Sequence, residues 1–266
     1  MARKGRITST SNVTKKTALS GRRVSKKNKI NDVEITESIK KNTFLDFNIQ
    51  QKYVLTPVHD NFLETCFKEA CKISLIDGPA GSAKTYLSVY IALQLLRTHK
   101  IDEIIYIRSV VESASKSMGS LPGEVEEKFL PWSLPLMEKL NELIDKPTIT
   151  NLMSDNFIKC VPVNYTRGLT FKNACVIVDE AQNLTKEELT TILTRFGQES
   201  KYMVVGDTRQ SDIGNKTGFK SIYNAFTTEE SIKHGIFGFE FTELEIVRSE
   251  LLKYIVKVLD KLKMKS

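Results

Sequence analysis

The chain has 266 residues, 41% apolar and 27% charged, with a formal charge of +7 at neutral pH. That composition suits one large or two small globular cores, and no stretch approaches 18 uninterrupted apolar residues, so no membrane-spanning segment is expected. The basic N-terminus has no apolar run behind it, and Cys66, Cys71, Cys160 and Cys175 form no C-x-x-C pair. A secretory signal and a disulfide framework are therefore not expected; reduced cysteines in a cytoplasmic protein are. His59, His99 and His234 are scattered, which speaks against a zinc site.

The charge is placed unevenly. Residues 1–30 carry ten bases, from Arg3 to Lys29, and no acid, leaving 29 bases against 32 acids in the rest. Poor in apolar residues, this arm cannot offset its ordering entropy and is expected to be disordered. Its basicity suits an arm that binds nucleic-acid phosphates; a solubilising extension is the plainer alternative.

Residues 44–49 supply Phe44, Leu45, Phe47 and Ile49 to pack on the body, and Pro57 opens a helix through about residue 71. A strand follows at 73–76, then Gly78-Pro79-Ala80-Gly81-Ser82-Ala83-Lys84-Thr85, then a helix to Arg97. Strand, glycine-bearing turn and Lys-Thr opening a helix is the setting of a phosphate-binding P-loop. Loop N–H groups and the helix N-terminus cradle phosphates, Lys84 reaches the β and γ phosphates, and Thr85 ligates Mg²⁺. Ala83 stands where that pattern carries its second glycine. If the position requires a left-handed backbone, alanine there costs on the order of 1 kcal/mol.

Residues 103–107 read as a second strand, 110–119 as a Ser-rich loop closed by a turn at 121–123, and 124–145 as two short helices or one kinked at Pro131 and Pro135. Further strands are expected at 157–161, 174–178, 202–205 and 235–241. Helices are expected from Thr185, with Glu188 completing a capping box, to Phe196, at 219–226 and at 248–263. Strands alternating with helices, without hairpin signals, predict an α/β fold with a mostly parallel sheet and helices on both faces.

The strand 174–178 ends in Asp179-Glu180-Ala181-Gln182, at the end where open α/β sheets gather ligands. Behind a P-loop, Asp179 would hold Mg²⁺ through water and Glu180 would activate the attacking water, although an acidic pair also suits a helix start. The next strand repeats the arrangement: Gly206 turns the chain, and Asp207 and Gln210 reach the same crevice. A glutamine both donates and accepts, so Gln182 and Gln210 suit a nucleotide or its attacking water.

Taken in order, the P-loop, Arg108-Ser109-Val110-Val111-Glu112, residues 118–123, Tyr165-Thr166-Arg167-Gly168-Leu169-Thr170-Phe171, Asp179-Glu180-Ala181-Gln182-Asn183 and Gly206-Asp207-x-x-Gln210 resemble the PhoH-like ATPases. The match runs from about residue 55 to the C-terminus. The resemblance implies one RecA-like P-loop NTPase domain at 44–266 behind a basic tail at 1–43. It also implies motifs like those of superfamily 1 helicases, links to RNA metabolism and assembly as a homo-oligomer, a hexameric ring. Some members carry a PIN ribonuclease domain; this chain leaves no room for one, so nuclease activity is not expected. His59 stands where the family places a glutamine after Thr-Pro, and Leu169 where it places a second arginine. Arg248 resembles a late arginine that stabilises the transferring phosphate, in cis or across a subunit boundary. Trp132 suits a core or subunit contact better than base stacking.

The expectation is thus a Mg²⁺-dependent ATPase that couples ATP hydrolysis to RNA or single-stranded DNA. A single RecA-like domain would need neighbouring subunits for translocation. A nucleotide-regulated module that recruits RNA-processing proteins without unwinding is an alternative, and a small-molecule kinase a second one.

Overall fold

The computed structural model describes residues 45–109 and 125–263, except for the side chains of 125–132, 215 and 260–263. The basic arm, the loop 110–119 with Glu112, the turn 121–123 and the Trp132 side chain lie outside the described residues.

The apolar runs form six strands: β1 (Ile73–Asp77), β2 (Glu103–Arg108), β3 (Ile158–Pro162), β4 (Ala174–Asp179), β5 (Lys201–Gly206) and β6 (Ile236–Glu240). They make one sheet in the order β3-β2-β4-β5-β1-β6, every pair parallel. Parallel sheets are covered on both faces, which is why these strands read as unbroken apolar runs. In β4 the alternation of the pleat sends Cys175 and Ile177 into one core and Ala174, Val176 and Val178 into the other.

Four helices cover the first face: α1 (Pro57–Phe67), α2 (Lys84–Arg97), α3 (Val125–Leu143) and α4 (Lys146–Ser154). They bury Phe62, Leu87, Leu96, Leu136, Leu140 and Leu152 there. On the second face α5 (Lys186–Leu193) and α6 (Phe219–Phe226) bury Leu189, Ile192, Phe219 and Ile222. The short α7 (Glu229–Lys233) leads to β6, and α8 (Glu250–Lys263) ends the described chain. Among the described residues, no helix is long and apolar enough to cross a membrane. The four cysteines are free.

The structure departs from the sequence expectations at several ends. Helix α1 stops at Phe67, because Lys68 takes an extended conformation (ψ 140°). Helix α5 stops at Leu193, three residues early, where Thr194 closes its last turn. Its start is as the spacing predicts: Thr185 accepts from the Glu188 N–H, and Glu188 accepts from the Thr185 N–H. The segment 125–143 is one helical run despite Pro131 and Pro135, anchored by Leu136, Leu140 and Leu143. Residues 243–245 form a 3₁₀ turn, and the last helix begins at Glu250, two residues beyond Arg248.

Candidate nucleotide-binding site

The loop between β1 and α2 is shaped by its backbone. Gly81 has φ +82°, where any side chain is strained, and a Cβ on it would push against Leu252 Cδ2 of α8 at 2.6 Å, so the position favours glycine. Ala83 is also left-handed, at φ 61° and ψ 14°. Alanine pays here the steric penalty expected for a missing glycine. We expect Ala83→Gly to stabilise the protein by roughly 1 kcal/mol, raising the melting temperature by about 2–4 °C; thermal unfolding with and without nucleotide checks it, and a lowered melting temperature would refute the strain argument.

Helix α2 starts without a side-chain cap, so its first N–H groups are open to a ligand. Ser82, fully buried, bonds the Pro79 carbonyl at 2.8 Å, and the Gly78 N–H bonds Gly206 O at 3.2 Å, fastening the loop to β5. The Lys84 ammonium donates to Gly78 O and Pro79 O, each at 2.7 Å. Burial lowers its pKa, while the charges of Asp207, Asp179, Glu180 and Asp77 pull it back up.

The acids come from neighbouring strand ends. Thr85 Oγ1 donates to Asp179 Oδ1 at 2.9 Å, and the Tyr106 hydroxyl donates to Oδ2 at 2.6 Å. Burial and the Asp179 charge push the Tyr106 phenol far up, so it stays a protonated donor. Glu180 sits in the left-handed region at φ 52° and ψ 41°. Its carboxylate lies 3.6 Å from the Arg108 guanidinium and accepts from Gln182 Nε2 at 2.6 Å. Burial first, then the Asp179 charge, raises the Glu180 pKa; Arg108 works against both.

Gln182 uses its amide inside the protein: its NH₂ goes to Glu180, and its Oε1 accepts from the Asp207 N–H at 3.1 Å. Asp207 Oδ1 accepts from the Arg209 N–H and Nε, and its buried Oδ2 finds no hydrogen-bond partner among the described residues. Gln210 lies exposed on the wall of the same cleft. Arg248 lines that cleft in its own chain: the Val247 N–H bonds Gly81 O at 3.1 Å, while Arg248 lies 3.6 Å from Glu138. The cleft measures about 390 Å³ and brings together Lys84, Thr85, Asp179, Glu180, Asp207, Gln210 and Arg248.

Two singled-out residues fall elsewhere. His59 is fully buried: its Nδ1 accepts from the Thr56 N–H at 3.2 Å and its Nε2 lies 3.1 Å from Ser82 O. It caps α1 and ties it to the phosphate loop, leaving neither nitrogen for a base. Arg167 is exposed and is not among the residues lining the cleft.

Among the described residues, no group of three or more His, Cys, Asp or Glu could hold a metal by itself. A divalent cation here would draw on Thr85, Asp179 and phosphate oxygens, the donor set that suits Mg²⁺. The orphaned acceptor on Asp207 fits such a hydrated site.

A glycine-bearing loop running from a parallel strand into a helix, with two acids at the end of a strand one place removed across the sheet, defines an α/β P-loop protein of RecA-like fold. A family model described as PhoH-like protein matches residues 43–260. The chain belongs to that family. A PhoH-like protein of Synechocystis sp. (strain PCC 6803) is 37% identical over 69% of this chain and 55% of its own. A PhoH-like protein of Bacillus subtilis is 36% identical over 69% and 57%, and Protein PhoH of Escherichia coli K12 is 33% identical over 69% and 51%. The chain thus spans about half the length of the curated relatives it matches.

Proposed function

We propose that this chain is a Mg²⁺-dependent ATPase that couples hydrolysis to the binding or remodelling of RNA or single-stranded DNA. The observation that carries the ATPase reading is the convergence of Lys84, the Thr85–Asp179 pair and Glu180 on one cleft. In this reading the phosphate chain lies over loop residues 78–85 and the first turn of α2. Lys84 turns its ammonium from its two loop carbonyls to the β and γ phosphates. The Thr85 hydroxyl can keep donating to Asp179 while a lone pair of its oxygen stays available to Mg²⁺. Mg²⁺, when bound, supplies charge neutralisation for the phosphates. Glu180 takes the proton of the attacking water, held in place by Arg108 and Gln182. Gln210 positions that water, and Arg248 meets the transferring phosphate from its own chain. A ring is therefore not needed to complete the site, though it remains the arrangement in which one such domain could move a strand; sedimentation of the full chain decides it, and an active monomer refutes the ring.

Nucleic-acid coupling rests on the arm, whose ten bases in residues 1–30 come without an acid or an aromatic. It can neutralise phosphates but cannot stack on bases. Phosphate release from ATP, with and without single-stranded RNA, tests the whole reading: no release in either condition refutes it. Removing residues 1–30 is expected to flatten the salt dependence of RNA binding, by about 0.7 in slope for each phosphate the arm had neutralised, and to leave RNA-free turnover unchanged. Identical slopes in a salt titration would place nucleic-acid binding on the core.

A further inference from the structure

β2 is an Ile-rich buried strand interrupted by Tyr106, whose side chain is only 1% exposed. Packing alone would be served by another isoleucine. A buried hydroxyl is costly unless paired, so the partner it finds is informative. The register sets Tyr106 opposite Ile177 of β4, which makes Asp179 its diagonal neighbour on the same face. Diagonal neighbours lie about 7–8 Å apart, within reach of an aromatic side chain but not of Ser or Thr. The hydroxyl arrives 2.6 Å from Asp179 Oδ2, while Thr85 holds Oδ1 from α2.

The carboxylate is thereby gripped by two donors on separate elements, and its plane is fixed before any ligand enters. We propose that Tyr106 is a positioning residue for the divalent cation of the bound nucleotide: it holds Asp179 and Thr85 as one preformed unit facing the phosphates. This rests on the Mg²⁺-ATPase reading of the cleft. The role differs from that of Lys84 or Glu180, because Tyr106 does not line the cleft and touches the reaction only through Asp179. Each Asp179 oxygen keeps a further lone pair for a water of the cation's shell. Without the hydroxyl, Asp179 can turn about its last torsion, and the cation loses orientation while the nucleotide keeps its hold on the loop.

The test is Tyr106→Phe in the full chain, with Tyr202→Phe as control. Tyr202 is equally buried, on β5, and its hydroxyl has no partner among the described residues, so losing it should leave metal binding alone. Tyr106→Leu repeats the measurement if the Phe variant is poorly soluble. Mn²⁺ binding in the presence of ADP is followed by electron paramagnetic resonance, and the Mg²⁺ concentration for half-maximal turnover is measured beside it. Affinity of fluorescent ADP in EDTA reports the metal-free cleft. We expect Mn²⁺ affinity to fall about 10–100-fold in the Tyr106 variants, the scale for groups that orient metal ligands. The Mg²⁺ requirement should rise in parallel, with metal-free ADP affinity unchanged. Unchanged Mn²⁺ affinity and Mg²⁺ requirement would overturn the proposal, as would an equal loss of metal-free ADP affinity, which marks general damage to the cleft. The wild type separates the two readings. If it binds no nucleotide with or without metal, the ATPase assignment falls and takes this proposal with it. If it binds nucleotide with metal and the variants match it, only the role of Tyr106 falls.

Discussion

Lys84→Ala is expected to lose about a thousandfold in ATP turnover while keeping its circular dichroism, the upper range for removing one electrostatic donor aimed at developing charge. The lysine feels the charges of Asp207, Asp179, Glu180 and Asp77. Removing it leaves the carboxylates of Asp179, Glu180 and Asp207 on the cleft that receives the polyphosphate, so nucleotide affinity falls together with turnover. The fold should survive, since the two carbonyls it holds, Gly78 O and Pro79 O, belong to a loop facing an open cleft where water replaces the ammonium. Phosphate release and nucleotide fluorescence measure the two losses. Wild-type turnover in the variant would sink the P-loop assignment.

Glu180→Gln is expected to bind ATP with near-normal affinity and to hydrolyse it at least about a hundredfold more slowly, the scale of lost general-base help. Burial and the neighbouring Asp179 raise the Glu180 pKa, and a base works only when ionised. Turnover in the wild type should therefore fall off on the acid side at a higher pH than an ordinary glutamate would dictate. Arg108→Gln removes the charge that holds this pKa down, so its acid limb should move to still higher pH. The pH dependence of kcat/KM for wild type and Arg108→Gln, which reports the free enzyme, tests the base, and filter trapping of unhydrolysed ATP tests Glu180→Gln. Unchanged turnover in Glu180→Gln assigns the proton to another group.

Much of the molecule is legible in the sequence because each signal is local. Apolar runs between polar punctuation mark all six strands, and Thr185 with Glu188 marks the start of α5. The P-loop and the two acid motifs follow their strands directly in sequence, so their convergence requires only a parallel sheet. The misses have physical causes as well. Helix α4 follows an Asp145-Lys146-Pro147 start, with the Asp145 carboxylate capping the Thr148 N–H, a cap signal easily passed over beside longer periodic segments. The inward use of Gln182 is not readable from sequence, because it depends on Asp207 presenting its N–H from another strand. Tyr106 reads as core because its hydroxyl finds Asp179 only through the β2–β4 register. His59 reads as a replacement for the family's glutamine, whereas in space it is a cap joined to the phosphate loop.

The sheet order also dictates when this protein can be completed. β1, the strand that launches the phosphate loop, pairs with β5 and β6: Ile73 lies opposite Tyr202 and Ile236. As the chain leaves the ribosome, β1 appears early with both edges unpaired and waits for most of the sequence to follow. Pairings of such long range are slow, since loop closure must precede any stabilisation by the pairing itself. The β2–β3–β4 half can assemble without β1, whereas the nucleotide cradle cannot close until β5 and β6 are available on either side of β1. Until then the exposed edges of β1 are an opening for wrong partners, and a nascent chain that stalls before residue 201 carries its phosphate loop on a strand with no neighbour.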